Sequence, residues 1–291
     1  MIVDNMLSLC EEAGIAVRNV TVKKDANQSP FLCSSGTIRS GTPLISVPYP
    51  TVLNAQTIRG DSIPKGLPPV EKMVKFLTRR GRLDFITAQS LWLATFLAAR
   101  KKCQTTSSAV GRPVSFVDEN YYPDLKDSSL FSNTAQHSPA TERAMSSHVN
   151  VALSCVQFYA KRKHLSSVSV PSFKEMQCAY YSVVGRSLLL PLNGAPSAPE
   201  PLSSFLESRS DMVSVPSLIP LVDMLKPSSE GNCLLYTCAE STFLSPVSRR
   251  RVLMEVEPLT SRRVVVCASH DIPDGEVLTV GCEGFPGHNG E

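Results

Sequence analysis

Apolar residues along this chain fall into short alternating runs at both ends and into longer helical periods between them. Residues 2–13 have the spacing of a short amphipathic helix that Gly14 stops, and "IAVRNVTV" then alternates as a strand does. "SSGTIRSGTPLISVP" (34–48) predicts two short strands around a Ser-Gly turn, closed by Pro48 and Pro50. The middle changes period. "DFITAQSLWLATFLAARKK" (84–102) places Ile86, Leu91, Phe96 and Leu97 at helical spacing and ends in basic residues suited to a helix C-terminus. Beyond a Ser-, Thr- and Pro-containing loop region (104–146), "HVNVALSCVQFYAKRKHL" and "SFKEMQCAYYSVVGRSL" predict two more helices. Ser172 with Glu175 forms a capping box for the second.

The last third returns to strands. "PLNGAPSAPEPLSS" (191–204) holds four prolines in fourteen residues and predicts an extended surface loop. "CLLYTC", "VLMEVEPL", "RRVVVCAS" and "EVLTVGC" follow as β-type runs, with an Asp274-Gly275 turn between the last two. Strands at the ends and helices between predict one composite α+β domain: a β part over 1–83, a helical insertion over 84–210 and a second β part over 211–291.

Composition narrows the function classes. The 291 residues can bury a large core, and a net charge of +3 is too small by itself to argue for nucleic acid. Basic residues do cluster locally, at Arg79-Arg80 with Arg82, Lys161-Arg162-Lys163-His164 and Arg249-Arg250-Arg251. Such runs read either as solvated faces or as contacts for RNA, a ribonucleoprotein or an acidic protein. "LWLATFLAA" (91–99) is far shorter than the roughly 20 residues of a bilayer span, so no membrane segment is expected. Asp4, Glu11 and Glu12 precede the first basic residue, Arg18, unlike a secretory signal or an organelle presequence. Nine scattered cysteines predict reduced thiols in an intracellular compartment, cytoplasm or nucleus, with the mitochondrion left open. Cys233 and Cys238 lack a second ligand pair, so no metal is expected. The histidines show no paired ligand spacing, and neither a phosphate loop nor a serine elbow is present.

Four stretches, in order, carry a family resemblance. "SGTIRSGTPLISVP" resembles the early strand pair of SET domains, and "CAYYSVVGRSLLLP" the helix of split-SET enzymes that ends in an Arg-Ser-Phe-like tripeptide, here Arg186-Ser187-Leu188. "LIPLVDMLKP" resembles the Pro-x-x-Asp-Met-x-Asn-His turn, and "VVVCASHDIPDGEVLTV" the hairpin that leads into Tyr-Gly. The resemblance, to the class containing the Rubisco large-subunit methyltransferase and the actin-histidine methyltransferase, runs from about residue 6 to 284 and implies a SET-like fold of short sheets with a helical insertion. The family's C-terminal helical substrate-binding domain has no counterpart before Glu291.

By resemblance, S-adenosylmethionine would contact Arg186, Asp223, Met224 and Leu225. The bare residues also allow Asp223 to be a turn or cap residue and Arg186 an ion-pair partner. Family chemistry aligns a neutral lysine or histidine nitrogen with the donor methyl, and three of its devices are altered here. No tyrosine follows Tyr236; Lys226-Pro227 replaces the Asn-His pair, whose backbone groups hold the adenine; and the glycine-rich cofactor loop falls on "NQSPFLCSS" (27–35), with Pro30 and Phe31 where glycine is expected. Tyr180 or Tyr181 stands as a replacement phenol or as an ordinary residue of an amphipathic helix. Two functions therefore stay open. One is a catalytically impaired SET shell acting as a protein-interaction or scaffold module in a larger assembly, with a protein or peptide in its groove. The other is an active S-adenosylmethionine-dependent protein-lysine or protein-histidine methyltransferase, with no catalytic residue assigned.

Overall fold

The computed structural model describes residues 10–26, 30–58, 63–64, 66–106, 139–163, 170–191, 214–239 and 262–281. Two compact units are present, one formed by residues 1–53 with 188–291 and the other by 54–187. The expected runs at 192–213 and 240–261, including "VLMEVEPL" and Arg249-Arg250-Arg251, lie outside the described residues, as do residues 2–9. Of the expected first helix, Cys10–Glu12 is helical, and the Gly14 amide donates to Glu11 O at 2.9 Å with Gly14 at φ +73°.

The first unit is built on a six-stranded sheet. Its strands are β1 (Ala16–Val17), β4 (Pro43–Pro48), β9 (Arg262–Ala268), β8 (Cys233–Ala239), β10 (Thr279–Gly281) and β7 (Lys226–Ser228), in that spatial order. Two antiparallel pairs accompany it, β2 (Val20–Lys24) with β3 (Pro30–Ser34) and β5 (Leu188–Pro191) with β6 (Ser214–Ser217). The single strand expected over "IAVRNVTV" is broken into β1 and β2 because Asn19 takes a left-handed φ of +54°, a conformation that asparagine tolerates better than most residues. β9 lies between β4 and β8, so Val264, Val265 and Val266 are all buried, the continuous apolar run of a central strand.

Two expectations change. The first strand of 34–48 is reduced to a bridge of Ile38 with Ile272, while β4 forms as a full strand. β9 and β10 do not form a hairpin across Asp274-Gly275, since β8 stands between them and pairs antiparallel with one and parallel with the other. The turn instead ties distant sequence together: the Gly36 amide donates to Asp274 Oδ1 at 2.6 Å, the Ser40 amide to Asp271 Oδ1 at 2.7 Å and the Glu276 amide to Ser34 Oγ at 2.9 Å.

The second unit contains α1 (Val70–Arg79), α2 (Phe85–Thr106), α3 (Pro139–Arg162) and α4 (Phe173–Arg186). The capping box of α4 forms as expected, the Ser172 hydroxyl accepting from the Glu175 amide and Glu175 accepting from the Ser172 amide. Leu91 through Arg100 of α2 are all buried; Trp92 stacks on Phe96 and donates its indole N–H to Pro68 O at 3.2 Å. α1 belongs to this unit, its buried Val70, Met73, Val74 and Leu77 forming one stripe at i, i+3, i+4 and i+7. Its last residue is Ser187, and Leu188–Pro191 pairs with Ser214–Ser217 in the first unit. No helix among the described residues is long and apolar enough to cross a membrane.

Candidate functional site

The segment 214–228 carries most of the residues singled out by the sequence. After β6, Leu218 bridges Leu53, and the chain turns through Leu221 at φ +65°, a strained conformation for a non-glycine residue. The short 3-10 turn Val222–Met224 follows. Its amides are spent locally: Asp223 N–H donates to Ile219 O at 3.1 Å, Met224 N–H to Leu221 O at 2.9 Å and Leu225 N–H to Val222 O at 3.1 Å. The side chains of Asp223, Met224 and Leu225 are all buried. The Asp223 carboxylate lies near enough to Cys10 to act on it: burial first, then the negative charges of Asp223 and Glu11, push that thiol up to about 12. Cys10 is therefore a protonated core thiol.

β7 continues directly from this turn and runs parallel to β10, with Lys226 opposite Thr279, Pro227 opposite Val280 and Ser228 opposite Gly281. The Lys226 amide donates to Leu278 O at 3.2 Å, and Pro227 has no amide hydrogen to offer. β7 is an edge strand, the place in a sheet where proline is tolerated. The β2–β3 hairpin lies alongside, since Leu278 N–H donates to Leu32 O at 2.8 Å and Cys33 bridges Val277. Across this junction the Lys226 ammonium sits 3.7 Å from Asp25 Oδ2 and 5.9 Å from the centroid of the Phe31 ring. A cation over an aromatic face and beside a carboxylate is doubly favourable. One side chain thus joins the two stretches that, by resemblance, would frame the cofactor.

Two further residues hold this region together, and the sequence reading passed over both. A Cβ on Gly231 would lie 2.5 Å from the Gly281 amide nitrogen, so only glycine lets the β7–β8 connection back onto β10. Asn232 is saturated: its amide donates to Val277 O at 2.9 Å and to Glu276 Oε1 at 3.2 Å, while its oxygen accepts from the Thr279 amide at 2.8 Å. A buried Asn flanked by Gly was the available signal.

Arg186 belongs to the other unit, as the last, half-buried residue of α4. On the same helix Tyr180 is buried, its ring edge-on to His148 at 6.4 Å between centroids, and burial together with the Asp84 charge pushes its phenol upward in pKa. Tyr181 is half-buried and its hydroxyl is 3.5 Å from Gln177 Nε2. Both tyrosines have the surroundings of residues packed in a helical unit. His270 lies just past the end of β9, its Nδ1 3.0 Å from Ser269 Oγ. Among the described residues no group of three His, Cys, Asp or Glu side chains could hold a metal ion.

No family model matches the sequence and no curated protein matches it at a significant level. Solved structures do match. The crystal structure of the SET domain of LSMT bound to lysine and AdoHcy superposes with a TM-score of 0.54 at 10% identity, over 96% of this chain and 53% of that one. The structure of Rubisco LSMT bound to AdoMet gives 0.50 at 12% identity, over 97% and 52%. The chain spans about half the length of these structures. It has an α+β, SET-like fold, as the four motifs implied.

The residues at the turn do not fit the adenine-holding pair of the resemblance. The amide of Lys226 is committed to Leu278 and Pro227 supplies none.

Proposed function

We propose that this chain is a SET-fold binding module that recognises a protein or peptide and does not transfer a methyl group. The observation that carries this reading is the position of Lys226, whose ammonium links Asp25 and Phe31 of the hairpin side to the turn that follows Asp223. That contact, with Pro227 beside it, supports a junction closed by protein instead of one held open for a nucleoside. Leu234 on β8 and Val277, bridged to Cys33 of β3, are among the few large apolar side chains exposed on the described surface, at 59% and 36%. Exposed apolar side chains of this kind suit a protein contact.

The alternative reading, an S-adenosylmethionine-dependent protein-lysine or protein-histidine methyltransferase, is favoured by the ligands of the two similar structures, AdoHcy with lysine and AdoMet. Melting with and without ligand separates the two. A cofactor site with a dissociation constant of about 10 µM would, at about 1 mM ligand, add about 2.7 kcal/mol to stability. That corresponds to about 5–10 °C in melting temperature for a chain of this size. The binding-module reading predicts a shift below about 1 °C and no labelled protein when the chain is incubated with methyl-labelled S-adenosylmethionine and extract. A full shift together with labelled product would establish the enzyme.

A further inference from the structure

Charge is divided unevenly between the two units. Residues 54–187 hold 18 Lys and Arg against 9 Asp and Glu, a net of +9, whereas 1–53 with 188–291 hold 11 against 17, a net of −6. The modest total of +3 conceals a strongly basic helical unit. Its charges gather on exposed positions: Lys72, Lys75 and Arg79 on α1, Arg80 and Arg82 after it, and Lys161, Arg162 and Lys163 at the end of α3.

An aromatic ring stands among them. Phe158 of α3 is 64% exposed, the most exposed large apolar side chain described. It lies seven residues, two turns or about 10 Å, beyond Val151 on the same stripe of α3. A Cβ on Gly81 would be 3.2 Å from Val151 Cγ1, which places the Arg80-Gly81-Arg82 segment against that stripe. Arg162 continues it one turn past Phe158. Arg82 also stands at φ +54°, a conformation glycine or asparagine would adopt with less strain. Basic groups along a helical face, with a solvent-facing ring between them, are the two components of single-strand binding: phosphate neutralisation and a platform for an unstacked base.

We infer that the helical unit presents a docking surface for single-stranded RNA, with Phe158 as the stacking platform and Arg80, Arg82, Lys161, Arg162 and Lys163 as phosphate contacts. This surface is independent of the turn at Asp223 and of the binding reading given above. An acidic protein would use the charges but would have no need of the ring, and the two occupants separate by experiment.

The test is fluorescence anisotropy of the full chain with a labelled, unstructured uridine-rich RNA of about 12 nucleotides, titrated at several salt concentrations. Five phosphate contacts predict a slope of about −3.5 in log association constant against log salt. Phe158→Ala should weaken binding about tenfold, the loss expected for one stacked base. Replacing Lys161, Arg162 and Lys163 together by Glu should flatten the slope by about 2, and Lys24→Glu, an exposed change on β2 of the other unit, should change neither value. All substituted side chains are exposed, and circular dichroism checks that each variant is folded. Failure to bind RNA at 50 mM salt, unchanged affinity in Phe158→Ala, or competition by polyglutamate as effective as by RNA would overturn the proposal.

Discussion

Replacing Lys226 by alanine tests the contact on which the functional reading rests. At 3.7 Å two unit charges attract by about 1 kcal/mol at water-like screening. The Lys226 and Asp25 side chains are 42% and 32% exposed, which cuts the useful part to about 0.5 kcal/mol. The ring contact with Phe31 adds about 0.5–1 kcal/mol at a site this open. Lys and Ala are both poor strand formers, so the expected loss is about 1–1.5 kcal/mol in urea unfolding at low salt. A cycle with Asp25→Asn isolates the ion pair, whose coupling of about 0.5 kcal/mol should vanish near 1 M salt, where the screening length is about 3 Å. Lys226→Met keeps the aliphatic stem and should recover part of the loss. A change below about 0.3 kcal/mol in Lys226→Ala, together with zero coupling at low salt, would refute the bridging role.

Other parts of both units make separate predictions. Asn232→Ala removes four side-chain hydrogen bonds and should cost about 2–4 kcal/mol, measured as a drop in urea midpoint at constant slope. Gly231→Ala forces a Cβ against the β10 backbone and should cost about 1–3 kcal/mol; a melting temperature equal to that of the unaltered chain would contradict the close approach. Burial pushes the thiols of Cys10 and Cys233 up to about 12 and that of Cys155 up to about 11. With folded values above the unfolded 9.0, their contribution is complete below pH 9 and is lost as pH rises toward the folded values. Stability should therefore fall by about 1 kcal/mol per thiol between pH 8 and 10, and Cys155→Ala should flatten that dependence. His148 runs the other way: burial, partly opposed by Asp84, lowers its pKa, so stability should decline as pH falls through the ordinary histidine range, less so in His148→Phe.

What was legible in the sequence was local. The Ser172–Glu175 box, the period of α2 and the β-type run of β8 each depend on neighbours within one element, and each formed where its residues predicted. α1 was equally legible, with Val70, Met73, Val74 and Leu77 at helical spacing, but the region was assigned to the β part over 1–83. The β9–β10 hairpin failed because strand order is non-local: nothing in "RRVVVCASHDIPDGEVLTV" says that β8 will lie between its two ends. Leu221 gave no sign of its left-handed backbone, since leucine there is set by the surrounding chain and not by its own preference. The motifs placed Asp223, Met224 and Leu225 on one turn, and they are on one turn. That their amides close the turn on itself, and that Lys226 reaches a ring 195 positions earlier in the chain, follow from packing alone.

The same logic explains why the turn has structural uses for its motif residues. Pro220, Asp223 and Met224 are all buried, and the Asp223 and Met224 amides close the turn on itself, so each has a structural use there without a nucleoside. The Lys226-Pro227 pair sits at an edge strand, where losing one amide donor costs the sheet little.

Isothermal titration of the full chain with S-adenosylhomocysteine puts the closed junction to its most direct test. With Lys226 bridging to Phe31 and Pro227 lacking a donor, no saturable heat is expected up to about 1 mM ligand, a limit weaker than about −4 kcal/mol. A stoichiometric isotherm in the micromolar range, abolished by Asp223→Ala while that variant stays folded, would contradict the account.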